Sequence, residues 1–279
     1  MKKTAPLIFL LVVSVLFILS CARTEKPVQT AGSKSAKSAA GPRLIPLEGC
    51  LNFRDLGGYT GEGGVKTRYD RIFRSDDLSK LSPADIDRIS KLGISIVIDL
   101  RADQELSQAP NPLRDHPGFV YRHFPLLDGI NSETGGPFLT QSLPEMYKSL
   151  LTDSGAQLGR IFRVLAEAGD RGVVFHCTAG KDRTGVVAAL LLDLCGVAGQ
   201  DIIADYALTY DLMRPHFDLM RERAQEAGFS IPEDLLRSDA VFMQEFLDFL
   251  KETYGGAEAY LLRQGLSPRE LRDLKALLL

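Results

Sequence analysis

The stretch Arg171-Gly-Val-Val-Phe-His-Cys-Thr-Ala-Gly-Lys-Asp-Arg-Thr-Gly-Val-Val-Ala-Ala-Leu-Leu-Leu-Asp-Leu194 decides the fold. Gly172 to Phe175 is a short apolar run opened by glycine, the pattern of a buried strand. Gly185 to Leu194 is apolar almost throughout and reads as a core helix. Between them His176 to Thr184 forms a tight loop that runs from strand end to helix start. Such a loop is an anion site, because its N–H groups point inward and the helix dipole favours negative charge. Cys177 stands at its mouth. A thiol in that field ionises more readily, and the thiolate is the nucleophile. The loop closes on Arg183, whose planar fork can hold two phosphate oxygens as a lysine cannot. The stretch is built to hold a phosphate against a sulfur.

The expected phosphate-binding residues are Thr178, Ala179, Gly180, Lys181, Asp182 and Arg183. Gly180 permits a positive φ where the loop folds inward. Thr184 is expected to hydrogen-bond the sulfur, and His176 to order the loop through its ring. Cys177 as one more small buried hydrophobe leaves the rest of the loop unexplained. A nucleotide-binding P-loop is excluded, since its upstream glycine and spacing are missing. A rhodanese-like sulfurtransferase loop differs in length and does not usually close on Arg-Thr-Gly. The rival from another class is a non-catalytic, phosphate-binding lipoprotein.

Two further motifs sharpen the reading: Asn52-Phe-Arg-Asp-Leu-Gly-Gly-Tyr59, and Ile98-Asp-Leu-Arg101 followed by Glu105. With the cysteine loop they resemble the bacterial protein tyrosine and dual-specificity phosphatases of the secreted mycobacterial PtpB type. The resemblance runs from about Arg43 to the C-terminus. It implies phosphate-monoester hydrolysis through a phosphocysteine. It also puts the Asn52–Asp55 segment close to the active site. Asn52, Arg54 and Asp55 are expected to brace the site, with Arg74-Ser75 nearby. Some members also cleave phosphoserine, phosphothreonine or phosphoinositides. In the family the Lys181-Asp182 pair accompanies broad specificity. An extra loop cation at Lys181 would favour highly charged ligands; the plain alternative is that it offsets Asp182 and faces solvent.

The leaving phenolate needs an acid, and the same group can then activate water. Asp99, at a strand end and inside the Asp-Leu-Arg motif, is the first candidate. Asp128, in Pro125-Leu-Leu-Asp-Gly129, and Asp182, in the loop itself, stay open beside it. The plain reading of Asp99 is an ion pair with Arg101 or Arg54. The four histidines show no metal-ligand spacing, and this chemistry requires neither metal nor cofactor.

Met1-Lys-Lys, the apolar run Leu7 to Leu19 and Ser20-Cys21 read as a bacterial lipoprotein signal over residues 1–20. Cys21 is then the lipidation site. Residues 21–42 carry almost nothing apolar and read as a flexible tether. An exported, membrane-anchored lipoprotein follows as the expectation, with an uncleaved anchor or ordinary signal as the alternatives. The net charge of −3, with no basic tail, gives no sign of nucleic-acid binding. The expected partners are phosphotyrosine proteins or other phosphomonoesters, and a membrane through the anchor. The four cysteines are too few for a disulfide scaffold. Cys195 reads as core. Cys50 is core, or the partner of a reversible disulfide that protects Cys177.

Residues 43–279 are long enough for one domain. Ser82 caps a helix over Pro83–Leu92, Ile94–Leu100 is a buried strand, Phe119–Phe124 alternates, and Ala156–Ala168 is helical. Alternating helix and strand predicts an α/β fold with a central, mostly parallel sheet flanked by helices. Active residues then gather at the carboxyl ends of the strands. After Val197 every pattern is helical: Asp201–Tyr210, Met213–Gly228, Val241–Tyr254, Ala257–Gln264 and Pro268–Leu279. This helical part, 201–279, is expected as a lid over the site or as a plain packing layer.

Overall fold

A computed structural model describes residues 43–126 and 142–279. The signal, the tether with Cys21, and Asp128 lie outside the described residues. Strands β1 (Arg54–Asp55), β2 (Ile72–Ser75), β3 (Ile94–Asp99), β4 (Val120–His123) and β5 (Gly172–His176) form one sheet in the order β1-β2-β5-β3-β4. β1 runs antiparallel to β2, and all other neighbours are parallel. Parallel neighbours need crossover connections, and helices supply them. Helix α1 (Pro83–Lys91) links β2 to β3, and α2 (Asp103–Gln108) lies between β3 and β4. Helices α3 (Leu143–Asp153) and α4 (Gly155–Ala166) precede β5. Six helices follow the loop: α5 (Asp182–Leu194), α6 (Gly199–Glu226), α7 (Glu233–Leu236), α8 (Ala240–Tyr254), α9 (Ala257–Arg263) and α10 (Pro268–Leu278).

Side chains alternate across each strand, so the sheet feeds two cores. Ile72, Ile96, Ile98, Val173 and Phe175 face the larger one, where α3 to α6 and α8 to α10 pack. Phe73, Val97 and Val174 face a smaller one under α1 and the segment around Phe53. The central strand β5 is buried at every residue, which is why it reads as an unbroken apolar run. Met243, Phe246, Leu250, Leu271, Leu274 and Leu278 join the larger core, so most of the C-terminal helical part is a packing layer.

The structure departs from the pattern in several places. Asp201–Tyr210 and Met213–Gly228 merge into the single helix α6 through Pro215. That proline deletes the bond to the carbonyl of Asp211 and costs about 3 kcal/mol. The helix persists because Leu212, Met213 and Phe217 are buried on either side of it, each contributing roughly 1.5–3 kcal/mol. Arg74 interrupts the apolar run of strand β2 and hides it in the sequence, and helix α3 extends over residues where no helix is expected. Both lie against the site.

Candidate active site

Cys177 follows β5 directly and is 2% exposed. Ser75 at the end of β2 and Asp99 at the end of β3 both stand in register with His176. Three parallel strands thus end around the loop, at their carboxyl ends. Gly180 takes φ +64°, and a Cβ there would meet Ser75 O at 2.5 Å and Asp76 N at 2.7 Å. Any side chain would be both strained and blocked.

The loop is held from behind by its carbonyls. Asn52 Nδ2 donates to Ala179 O (3.2 Å) and Gly180 O (3.3 Å), and Arg74 Nη2 donates to Gly180 O at 2.7 Å. Among the described residues no hydrogen bond takes the N–H groups of Thr178, Ala179, Gly180 or Lys181. Four donors therefore remain for an anion at the N-terminus of α5. Arg74 is itself held by Asp205 of α6, Nη1 to Oδ2 at 2.5 Å. Arg54 Nε holds the other oxygen of Asp205 at 2.9 Å and its Nη1 donates to Asn52 Oδ1. Tyr59 Oη donates to Asp205 Oδ1 at 3.0 Å. Burial pushes the Asp205 carboxyl up, but the Arg54 and Arg74 charges outweigh it and hold the group well below the usual carboxylate range. Two guanidinium groups face one carboxylate, so this buried cluster is net positive behind the loop.

Asp55, expected to brace the site, braces the chain between β1 and β2 instead. It accepts from Gly57 N and Asp70 N, both at 2.7 Å. Asp76, after β2, accepts from Leu51 N and Asn52 N and so fixes the start of the Asn52 motif.

Asp99 does not stand as a free carboxyl. It is 0% exposed. Its oxygens accept from Arg101 Nε (3.0 Å), Arg101 Nη2 (2.7 Å) and Tyr121 Oη (2.7 Å), and Oδ2 lies 3.2 Å from His176 Nε2. Burial opposes its charge, but His176 and Arg101 overcome that and hold it far below the usual carboxylate range. A carboxylate so held has no proton to give a leaving group, which argues against Asp99 as the acid and for a bracing role. The His176 ring supports this: Nδ1–H donates to Cys177 O at 3.1 Å, and Nε2 lies between Asp99 Oδ2 (3.2 Å) and Asn111 Nδ2 (3.0 Å). Asp99 and His176 together fix the peptide that carries the cysteine.

Glu105, read only as part of a motif, grips the arginine of the loop. Arg183 Nη1 and Nη2 donate to its two oxygens at 2.5 and 2.8 Å, and Thr178 Oγ1 donates to the same carboxylate. Burial raises the Glu105 carboxyl, but Arg183 outweighs it and brings it down to about 2. This fork-to-fork pair pre-sets the plane of the guanidinium. Among the described residues Arg183 Nε–H has no partner.

Lys181 does not face solvent. It is 1% exposed, and Nζ donates to Leu235 O (2.6 Å) and Arg237 O (2.8 Å) and lies 3.5 Å from Asp182 Oδ1. The cation ties the loop to the chain around α7. Asp182, the first residue of α5, is 22% exposed and accepts from Tyr147 Oη at 2.6 Å. The Thr184 hydroxyl is buried with no partner, so the expected bond to the sulfur is not made. Leaving it so costs about 1–3 kcal/mol. Cys50 and Cys195 are buried and free. Burial, and then Asp76, push the Cys50 thiol well above its ordinary value, which disfavours it as an attacking thiolate. Among the described residues no group of three or more His, Cys, Asp or Glu could hold a metal ion.

A nucleophilic cysteine at a strand end, free loop amides, a clamped arginine and a carboxyl on the same loop define a cysteine-dependent phosphatase. The chain belongs to the tyrosine phosphatase family, whose sequence profile matches residues 45–279. It is 36% identical over 215 residues to a tyrosine-protein phosphatase of Nostoc commune, covering 74% of this chain and 73% of that one. It is 30% identical over 276 residues to the triple specificity protein phosphatase PtpB of Mycobacterium tuberculosis, covering 84% of this chain and 98% of that one. Among solved structures P. aeruginosa TpbA is similar at 14% identity and a TM-score of 0.36, over 71% of this chain and 88% of that one.

Proposed function

We propose that this protein hydrolyses phosphate monoesters, phosphotyrosine above all, through a phosphocysteine on Cys177, with Asp182 as the acid. The observation that carries this is one loop holding Cys177, four uncommitted N–H groups, Arg183 and a part-exposed Asp182. The thiolate attacks phosphorus; the S–P bond forms and the P–O bond to the phenol breaks. The loop amides and Arg183 stabilise the charge on the equatorial oxygens. Asp182 gives its proton to the departing oxygen. It then takes one from the water that attacks phosphorus, and the S–P bond breaks to release phosphate and thiolate.

Asp182→Asn tests the acid. It is expected to lose the basic limb of the kcat/KM profile and about 10²-fold or more of turnover on phenyl phosphate. A retained basic limb sinks the assignment. Dual or phosphoinositide specificity is the wider reading. It is supported by the triple specificity named for the mycobacterial relative and by the loop Lys181-Asp182 pair. Against it, the Lys181 ammonium already serves two carbonyls.

The same proposal puts the mature protein on a membrane, as an exported lipoprotein anchored at Cys21. The charged start, the short apolar run and the cysteine after Ser20 support it. Labelled palmitate is expected to enter the protein and to be lost in Cys21→Ser. Equal labelling of both, or none in either, overturns the anchor.

A further inference from the structure

Behind Asp182 lie two tyrosines that the reaction as described does not use. Tyr147 of α3 is 0% exposed and Tyr206 of α6 is 1% exposed. Their hydroxyls are 2.6 Å apart, and Tyr147 Oη is also 2.6 Å from Asp182 Oδ1. A phenol has one proton to donate. Asp182 Oδ1 can only accept while ionised, so the Tyr147 proton points to it. The Tyr206 proton then points to Tyr147 Oη. The chain has a fixed direction, Tyr206 to Tyr147 to Asp182, and successive donors polarise one another. Among the described residues no partner falls on Asp182 Oδ2. We propose that Tyr147, backed by Tyr206, is a positioning residue for the acid: it binds Oδ1 and so assigns the transferable proton to Oδ2.

Other groups face this carboxyl. Lys181 Nζ, from the loop, lies 3.5 Å from Oδ1. Arg183 follows it in α5, and its charge interacts with both Asp182 and Cys177. Asp239, ahead of α8, acts on Lys181 and on Tyr206. Lys181 alone could hold the charge of Asp182, but a point charge does not select one oxygen's lone pair as a directed O–H does. Both tyrosines are also packed edge-on, Tyr147 against Tyr206 (6.0 Å between ring centres) and against Phe246 (6.5 Å). Their rings are fixed by the core, so the hydroxyls are preorganised rather than mobile.

The inference rests on Asp182 being the acid, and the test separates the two claims. Tyr147→Phe keeps the ring and removes the donor. Losing a donor to the carboxylate favours the protonated form, so the basic limb should move up by about half to one pH unit. Turnover of phenyl phosphate should fall about 10-fold, because the acid is misplaced. Turnover of 2,4-dinitrophenyl phosphate, whose leaving group needs no proton, should stay within about 2-fold. Tyr206→Phe should move the limb in the same direction and less. In an Asp182→Asn background Tyr147→Phe should change nothing further. A Tyr147→Phe loss equal on both substrates, with the limb unmoved, reduces the pair to core packing and overturns the proposal. If Asp182→Asn itself keeps the basic limb, the acid assignment fails first and the positioning role falls with it.

Discussion

Cys177→Ser is expected to abolish turnover while leaving phosphate binding in place. The expected loss in kcat is on the order of 10⁴-fold or more, the scale seen when a covalent nucleophile is removed. Serine nearly matches the thiol in size, and the position belongs to the strand as much as to the site. Cys177 follows β5, which is hydrogen-bonded on both sides, and its side chain joins the larger core. The backbone is therefore set by the sheet and by His176 Nδ1 on Cys177 O, neither of which depends on sulfur. What changes is chemistry. A hydroxyl ionises several units higher than a thiol, and among the described residues no base is hydrogen-bonded to this side chain to activate it. The His176 ring is already committed to Cys177 O and Asn111. The check is turnover of an aryl phosphate beside calorimetric binding of inorganic phosphate. Retained turnover above about 1% of the parent excludes the phosphocysteine. Unchanged phosphate binding with no turnover in the parent protein favours the rival, a phosphate-recognising lipoprotein.

Much of this site was legible because it is local. One loop of consecutive residues carries the nucleophile, the glycine, the arginine and a carboxyl, and strand and helix patterns on either side fix its geometry. What was not legible is what reaches the loop from elsewhere. Glu105 lies 78 residues from Arg183 in sequence, yet it clamps that arginine. Arg74 is expected near the site, but the strand that holds it is hidden by a charge within a short apolar run. Tyr147 sits in a helix that the pattern did not mark. Asp99 shows the reverse problem. Its motif and strand-end position are those of a catalytic acid, and sequence cannot show that Arg101, Tyr121 and His176 all bond to it. Lys181 shows it too: a cation in a charged loop reads as solvent-facing or ligand-facing. Here its ammonium is buried on Leu235 O and Arg237 O.

Asp205→Asn is expected to produce the largest loss of stability of any single change at the site, about 3–5 kcal/mol, the cost of breaking a buried ion pair. No pattern singled out this residue, although it is 1% exposed near the start of α6. Its two oxygens are divided. Oδ1 accepts from Arg54 Nε and Tyr59 Oη, and Oδ2 accepts from Arg74 Nη1. An amide has one acceptor, so asparagine must turn its NH₂ toward one guanidinium. Donor then faces donor, and both arginine charges lose their counter-charge. Arg74 already feels this strain: burial first, and then Arg54, bring it down to about 10 in the native cluster. The loss should reach the chemistry through Arg74 Nη2 on Gly180 O, the bond that holds the loop carbonyl outward. Turnover should fall about 10-fold or more at temperatures where the variant is folded. The pH dependence gives an independent check. The folded carboxyl of Asp205 is depressed below its unfolded value near 3.8. Its contribution is therefore fully present above that value and is lost as pH falls toward the folded one. The stability gap between parent and Asp205→Asn, from urea melts, should be widest near neutrality and should narrow below about pH 4. A gap under about 1 kcal/mol at pH 7, or one that widens on acidification, would mean that the two arginines do not depend on Asp205.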